Sequence, residues 1–198
     1  MSVLSEIKRR FSRTTEPKTI DEQRLPAREM TPYASREEFC WIFVKDLGNL
    51  YLLSLLLTGD HPTAEDCFLH GFEDTLKGLP VFKERAQTWA RRTIIQRAIQ
   101  MVRPRPTNGS VSSTTSSGSM SPALRHPAEI ANVFELPQFE RFVFVISVLE
   151  RYSCHECALL LACSRGDVLV ARTGALQRIA EAAEDSEKQY PSVKSRRA

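Results

Sequence analysis

At 198 residues, 42% of them hydrophobic and 26% charged, the chain is long enough for one ordinary domain or two small ones and can bury a core. Its longest apolar run, Leu50 to Leu57, falls far short of the roughly 20 residues that cross a bilayer, and no apolar stretch follows the charged opening MSVLSEIKRR, so no membrane partner and a soluble, cytoplasmic protein are expected. The five cysteines are odd in number and sit inside helical patterns, which suits reduced thiols better than a secreted disulfide framework.

Residues 1–30 mix seven bases, five acids and two prolines without a sustained period, and a disordered tail is expected over 1–34. From Ser35 or Arg36 the apolar residues Phe39, Ile42, Phe43, Leu47, Leu50 and Leu53 recur at helical spacing, with Gly48 as a weak point and Gly59 closing the helix or helix pair. A helix is predicted from about Pro62 to Lys77, with Phe68, Phe72 and Leu76 inward. Another runs from about Glu84 to Val102, with Trp89 inward and Arg91, Arg92 and Arg97 outside. The Ser, Thr, Pro and Gly-rich run after Arg103 reads as a flexible linker over 104–128.

Three amphipathic segments follow. Pro137 opens the first, whose Phe139, Phe142, Val143, Ile146 and Leu149 share one face. Ser153 with Glu156, and Ser164 with Asp167, have the spacing of helix-starting capping boxes. Only Ala162 and Cys163 separate the last two segments, so they must cross steeply, as in a helix-turn-helix. The fold class is therefore all-α: a small helical domain at 35–103, the linker, a helix-turn-helix domain at 129–184, and a basic C-terminal tail at 185–198.

The net charge of +3 hides a segregation into blocks. Residues 85–128 hold seven arginines and no acid, whereas 31–84 hold nine acids against four bases and 129–187 ten acids against five arginines. A polyanion would meet the middle of the chain most favourably, because phosphate neutralisation by Lys and Arg supplies the sequence-independent part of nucleic-acid binding.

This layout resembles the extracytoplasmic-function sigma factors of bacterial RNA polymerase. The wording LYLLSLLLTGD (50–60), AED (64–66), Phe72 and TWARR (88–92) is similar to the family's second region, and LPQFERFVFVISVLERYSCHECALLLACSRGDV (136–168) to its fourth. The resemblance implies a non-enzymatic initiation protein whose partners are core RNA polymerase and promoter DNA, with an anti-sigma factor as a candidate regulator. By position, it assigns Asp66 and Phe72 to polymerase docking. It assigns Arg91, Arg92, Arg97 and Arg103, together with Ser164, Arg165, Asp167 and Arg172 of the recognition helix, to DNA. The chain departs from the family at Leu69 and His70 in the docking helix, where the family places a polar and acidic pair, and at Leu169, Ala171, Gly174 and Leu176 in the recognition helix, where it favours Lys or Arg. Those departures raise the alternative of a degenerate sigma-like protein that acts through protein contacts without promoter reading.

Catalysis and metal binding have no sequence support. The four histidines lie apart from any serine or carboxylate arrangement that would make a nucleophile or general base. Cys154, His155, Glu156 and Cys157 have no second ligand pair at suitable spacing, so the cysteines read as helix packing, and no cofactor is expected.

Overall fold

The computed structural model describes residues 31–78, 80–106 and 128–189, and these are helical, with one isolated bridge between extended residues. The expected tail is thus described only from residue 31, the linker only at 104–106 and 128, and the basic tail only to 189; the remainder of each lies outside the described residues. The chain divides into two compact units, with the boundary at Met101 and Val102.

In the first unit, α1 (Arg36–Lys45) starts at a complete capping box: the Glu38 N–H donates to Ser35 Oγ over 3.2 Å and the Ser35 N–H donates to Glu38 Oε2 over 2.7 Å. It ends at Asp46, and α2 (Leu47–Thr58) leaves at a 76° bend. The break falls at Asp46 rather than at Gly48, which lies inside α2. Asp46 holds the corner with its carboxylate, which accepts from the Asn49 amide and from Arg91.

Helix α2 is the centre of this unit. Leu50, Leu53, Leu55, Leu56 and Leu57 are all buried, and the hydroxyls of Ser54 and Thr58 donate to the carbonyls of Leu50 and Ser54, so its polar groups are satisfied within the helix. Gly59 caps it at φ 92°, a left-handed conformation that costs glycine nothing. Asp60 then caps α3 (His61–Lys77) by accepting from the Thr63 N–H at 2.9 Å, with Pro62 in the first turn.

Helix α3 buries Cys67, Phe68 and Phe72 against α1, where Phe43 meets Phe68 and Phe72 edge-on at 5.5 and 4.9 Å between ring centres. Phe39, Phe43 and Phe68 are fully enclosed, and burying each such side chain contributes ~1.5–3 kcal/mol. Helix α4 (Ala86–Val102) crosses α3 at Gly71, where an added Cβ would stand 2.9 Å from Ile94 Cγ1. Thr93, Ile94 and Ile95 are all buried, whereas Met101 near the end of the helix is 37% exposed.

Ahead of α1, residues 31–34 run extended beside 80–83. The Ala34 N–H donates to the Val81 carbonyl at 2.7 Å and the Lys83 N–H to the Pro32 carbonyl at 3.0 Å. Ala34 is buried with Phe39, Val81 and Ala86. The expectation of a tail through residue 34 is corrected here: its last four residues belong to the folded unit.

The second unit opens with α5 (Ala128–Phe134), which packs on the last helix. Pro137 caps α6 (Gln138–Phe144), which widens into a π-helical turn at Val145–Leu149. That widening rotates Leu149 out to 46% exposure while Phe139, Phe142, Val143 and Ile146 remain buried. Helix α7 (Cys154–Leu161) and helix α8 (Arg165–Gln189) follow, with α8 running 25 residues. Gly174 does not break α8; it lets the helix pass close to Glu140, whose carboxylate accepts from Arg178 Nε at 3.1 Å.

Candidate nucleic-acid interface

Helix α4 divides its arginines by chemistry. Arg97 Nη2 lies 2.8 Å from Asp74 Oδ2 on α3, and its side chain is only 25% exposed. Arg91 Nη1 reaches Asp46 Oδ2 at 3.5 Å. Both had been expected on a free outer face; both instead tie α4 to acids of the neighbouring elements, which takes much of their charge out of reach of a polyanion. Arg92 is exposed, in a stripe with Thr88, Gln96 and Gln100 at four-residue spacing. Arg103 follows the helix at φ 49° and is exposed, as is Arg105. Arg92 in the first unit, and Arg103 and Arg105 in the second, are thus exposed.

Trp89 is half-buried against the Phe39 and Val81 cluster with its indole nitrogen enclosed, so it packs rather than presents a ring. On α3, Asp66 is exposed and its backbone carbonyl accepts from the His70 ring at 2.7 Å, which places both on the outer surface of that helix. Phe72 is not on that surface. It is 3% exposed and supports α3 from inside the core, so its expected docking contact is corrected to a packing role.

In the second unit, α7 and α8 are joined by residues 162–164 alone. Ala162 takes the left-handed conformation at φ 51° and ψ 46°, and the Cys163 N–H donates to the Ala158 carbonyl at 3.1 Å, which turns the chain sharply. Both helices then begin on capping boxes. The Glu156 N–H donates to Ser153 Oγ, and the Ser153 N–H donates to Glu156 Oε2 at 2.9 Å. At α8 the Asp167 N–H donates to Ser164 Oγ at 3.1 Å and the Ser164 N–H to Asp167 Oδ2 at 3.0 Å. Ser164 and Asp167 are thus engaged in starting the helix, and their side chains face each other.

Arg165 is exposed, its Nε donating to His155 Nδ1 at 3.3 Å, and Arg172 is half-buried with Nη1 3.9 Å from Cys154 Sγ. The exposed side of α8 begins with Arg165, Gly166, Leu169, Val170 and Thr173. The signal for that face was its three- and four-residue spacing opposite the buried Val168, Ala171 and Ala175, which periodicity alone could have revealed.

Burial pushes the Cys67 thiol up to about 12 and the Cys157 thiol up to about 11, and it raises Cys40 and Cys163 as well. Thiols held neutral in this way are poor nucleophiles and poor metal ligands. Among the described residues, no group of three or more His, Cys, Asp or Glu side chains is placed to hold a metal ion. No single described helix is long and apolar enough to cross a membrane. No family model matches the chain, and no curated protein sequence matches it.

Proposed function

We propose that this chain is a sigma-factor-like transcription initiation protein that binds core RNA polymerase and promoter DNA, acts in the bacterial cytoplasm by binding rather than catalysis, and uses α7 and α8 as a helix-turn-helix. The observation that carries the reading is the α7–α8 corner: two separately capped helices joined by three residues, with the start of the longer one exposed. An all-helical first unit with an exposed arginine on α4 supports it, as does the sequence resemblance on both sides of the serine-rich stretch. In this reading Asp66 and His70 face the polymerase, Arg92 and Arg103 track phosphates, and Arg165 and Arg172 flank the recognition face.

The test is a binding titration on duplex and bubble DNA at several salt concentrations, with and without core polymerase. Affinity that falls linearly with the logarithm of salt supports the reading. Absence of salt-dependent DNA binding in both states defeats it.

A second reading is favoured by two specific observations: Arg91 and Arg97 are held in ion pairs, and Leu169 and Val170 are exposed where polar residues would serve groove docking. It is a sigma-like protein that works through protein contacts alone. Polymerase association without any DNA dependence would distinguish it, and an anti-sigma factor covering the exposed faces is a candidate partner in either case.

A further inference from the structure

Helix α7 carries two cysteines three residues apart, and a third lies in the turn that follows it. Cys154 is the first residue of the helix and half-buried, Cys157 is fully buried, and Cys163 is half-buried. Cys157 lies within electrostatic reach of the other two thiols and of the Arg172 guanidinium.

The three are not equivalent. Arg172 Nη1, on α8, stands 3.9 Å from Cys154 Sγ, whereas Cys157 Sγ donates back to the Tyr152 carbonyl at 3.9 Å. The thiolate is the form of cysteine that attacks a peroxide, and a guanidinium beside the sulfur and a helix N-terminus behind it are surroundings that steady one. The neighbouring acid Glu156 is occupied elsewhere, its carboxylate accepting from Ser153 N–H at 2.9 Å and Oγ at 2.7 Å. Burial, in contrast, raises the thiols of Cys40, Cys67, Cys157 and Cys163. Cys154 is therefore the cysteine placed to react first.

Its partner is one helical turn away. Side chains three apart on a helix have their Cβ atoms about 5–6 Å apart, and a disulfide needs about 3.5–4.5 Å, so bridging asks for a small shift. Cys154 can make that shift because the N–H of a first helical residue has no intrahelical bond to lose. The Cys157 N–H, donating to the Ser153 carbonyl at 2.9 Å, holds the other end in place.

We propose that Cys154 and Cys157 are a redox-active pair that hydrogen peroxide converts to a disulfide, with Arg172 steadying the attacking sulfur. The Cys154 thiolate attacks the O–O bond and becomes a sulfenic acid, and the departing hydroxide leaves as water with the proton that Cys154 shed. The Cys157 thiol then attacks the Cys154 sulfur, the S–O bond breaks, and the second hydroxide leaves as water with the Cys157 proton. Two thiols and one peroxide thus give one disulfide and two waters, the sulfurs losing the two electrons that the peroxide gains. Drawing Cys154 Sγ toward Cys157 takes it from Arg172, so oxidation cuts one tie between α7 and α8. The pair stands whether or not that corner meets DNA.

The experiment treats the full chain with one equivalent of hydrogen peroxide, alkylates the remaining thiols and maps the tryptic peptide 152–165, which carries all three cysteines of this unit. The peptide should lose two hydrogens, with the bridge between Cys154 and Cys157 and the alkyl group on Cys163, and dithiothreitol should reverse the loss. Cys154→Ser should form no bridge, and Cys157→Ala should stop at a sulfenic acid that a cyclic 1,3-diketone traps on Cys154. Arg172→Gln should slow the bridge roughly two- to fivefold, the weight of one part-exposed charge contact. A bridge that includes Cys163, a disulfide between two chains, or first oxidation at Cys40 or Cys163 overturns the proposal, and an unchanged rate in Arg172→Gln overturns the role given to Arg172. The map of the parent protein needs no variant, so the test holds even where a change at buried Cys157 unfolds the chain.

Discussion

Arg97 and Asp74 meet at 2.8 Å, guanidinium Nη2 on carboxylate Oδ2, and this contact joins α4 to α3. It changes what the cluster of arginines in this chain is for. One member is structural and another is anchored at the Asp46 corner.

The first prediction separates those roles. Arg97→Ala should cost roughly 1–2 kcal/mol of stability, because it removes a charge-assisted hydrogen bond between two groups about a quarter and a third exposed. Arg92→Ala should change stability by less than about 0.5 kcal/mol, as expected for an exposed helical site. Urea unfolding of both variants, with a double-mutant cycle through Asp74→Ala, measures the difference.

On the proposed function, the exposed arginines should matter for DNA rather than for stability. Replacing Arg92, Arg103 and Arg105 by Ala should reduce the magnitude of the slope of log K against log salt by up to about 3, since each lost phosphate contact releases about one counterion fewer. An unchanged slope would move the DNA path away from this end of α4.

Two glycines should respond oppositely to Ala. At Gly71 the new methyl would lie 2.9 Å from Ile94 Cγ1 and 3.3 Å from Ile94 Cα, so α3 and α4 must separate, and a loss of about 1–3 kcal/mol is expected. At Gly48 nothing lies within 4 Å, and Gly48→Ala should stabilise α2 by roughly 0.5–1 kcal/mol through helix propensity alone. Thermal unfolding of the two variants gives the signs directly.

The buried thiols predict an alkaline transition. The folded pKa values of Cys67 and Cys157, about 12 and about 11, stand above the ordinary thiol value of 9.0. Their contribution to stability is therefore complete below pH 9 and is lost as pH rises toward 11 and 12, where the unfolded chain sheds protons that the folded chain retains. Stability measured between pH 8 and 11 should fall with pH, and Cys157→Ala should flatten part of that fall. A slope identical to that of the parent protein would mean that Cys157 ionises without hindrance in the folded state.

What could be read from the sequence was mainly local. The pairs Ser153 with Glu156 and Ser164 with Asp167 announced helix starts because a capping box is closed within four residues, and Gly59 announced a helix end for the same reason. The errors came from partners distant in the chain. Arg91 looked outward until Asp46, 45 residues away, was seen to hold it, whereas Phe72 packs on Phe43 as its inward place in the helical period expected, and only the family resemblance had put it at a docking surface. Leu149 was placed on the inner face by a regular 3.6-residue period that the π-helical turn interrupts. Helix α5 lies, but for Ala128, inside the expected 129–184 domain, yet it was not singled out as a helix because its seven residues take their support from packing on α8. Of the candidate site, the α7–α8 corner was legible, whereas the free arginines could be told from the engaged ones only in three dimensions.

The two backbone hydrogen bonds that run between residues 32–34 and 81–83 set a limit on how far the protein can be shortened. A fragment trimmed back to Arg36 would keep every helix of the first unit yet lose the Ser35 cap, the Ala34 plug and the clasp on the segment that feeds α4. The start of the arginine-bearing helix is therefore moored by residues that precede the first helix, and deletions there should loosen the exposed α4 surface around Arg92, more than fifty residues downstream.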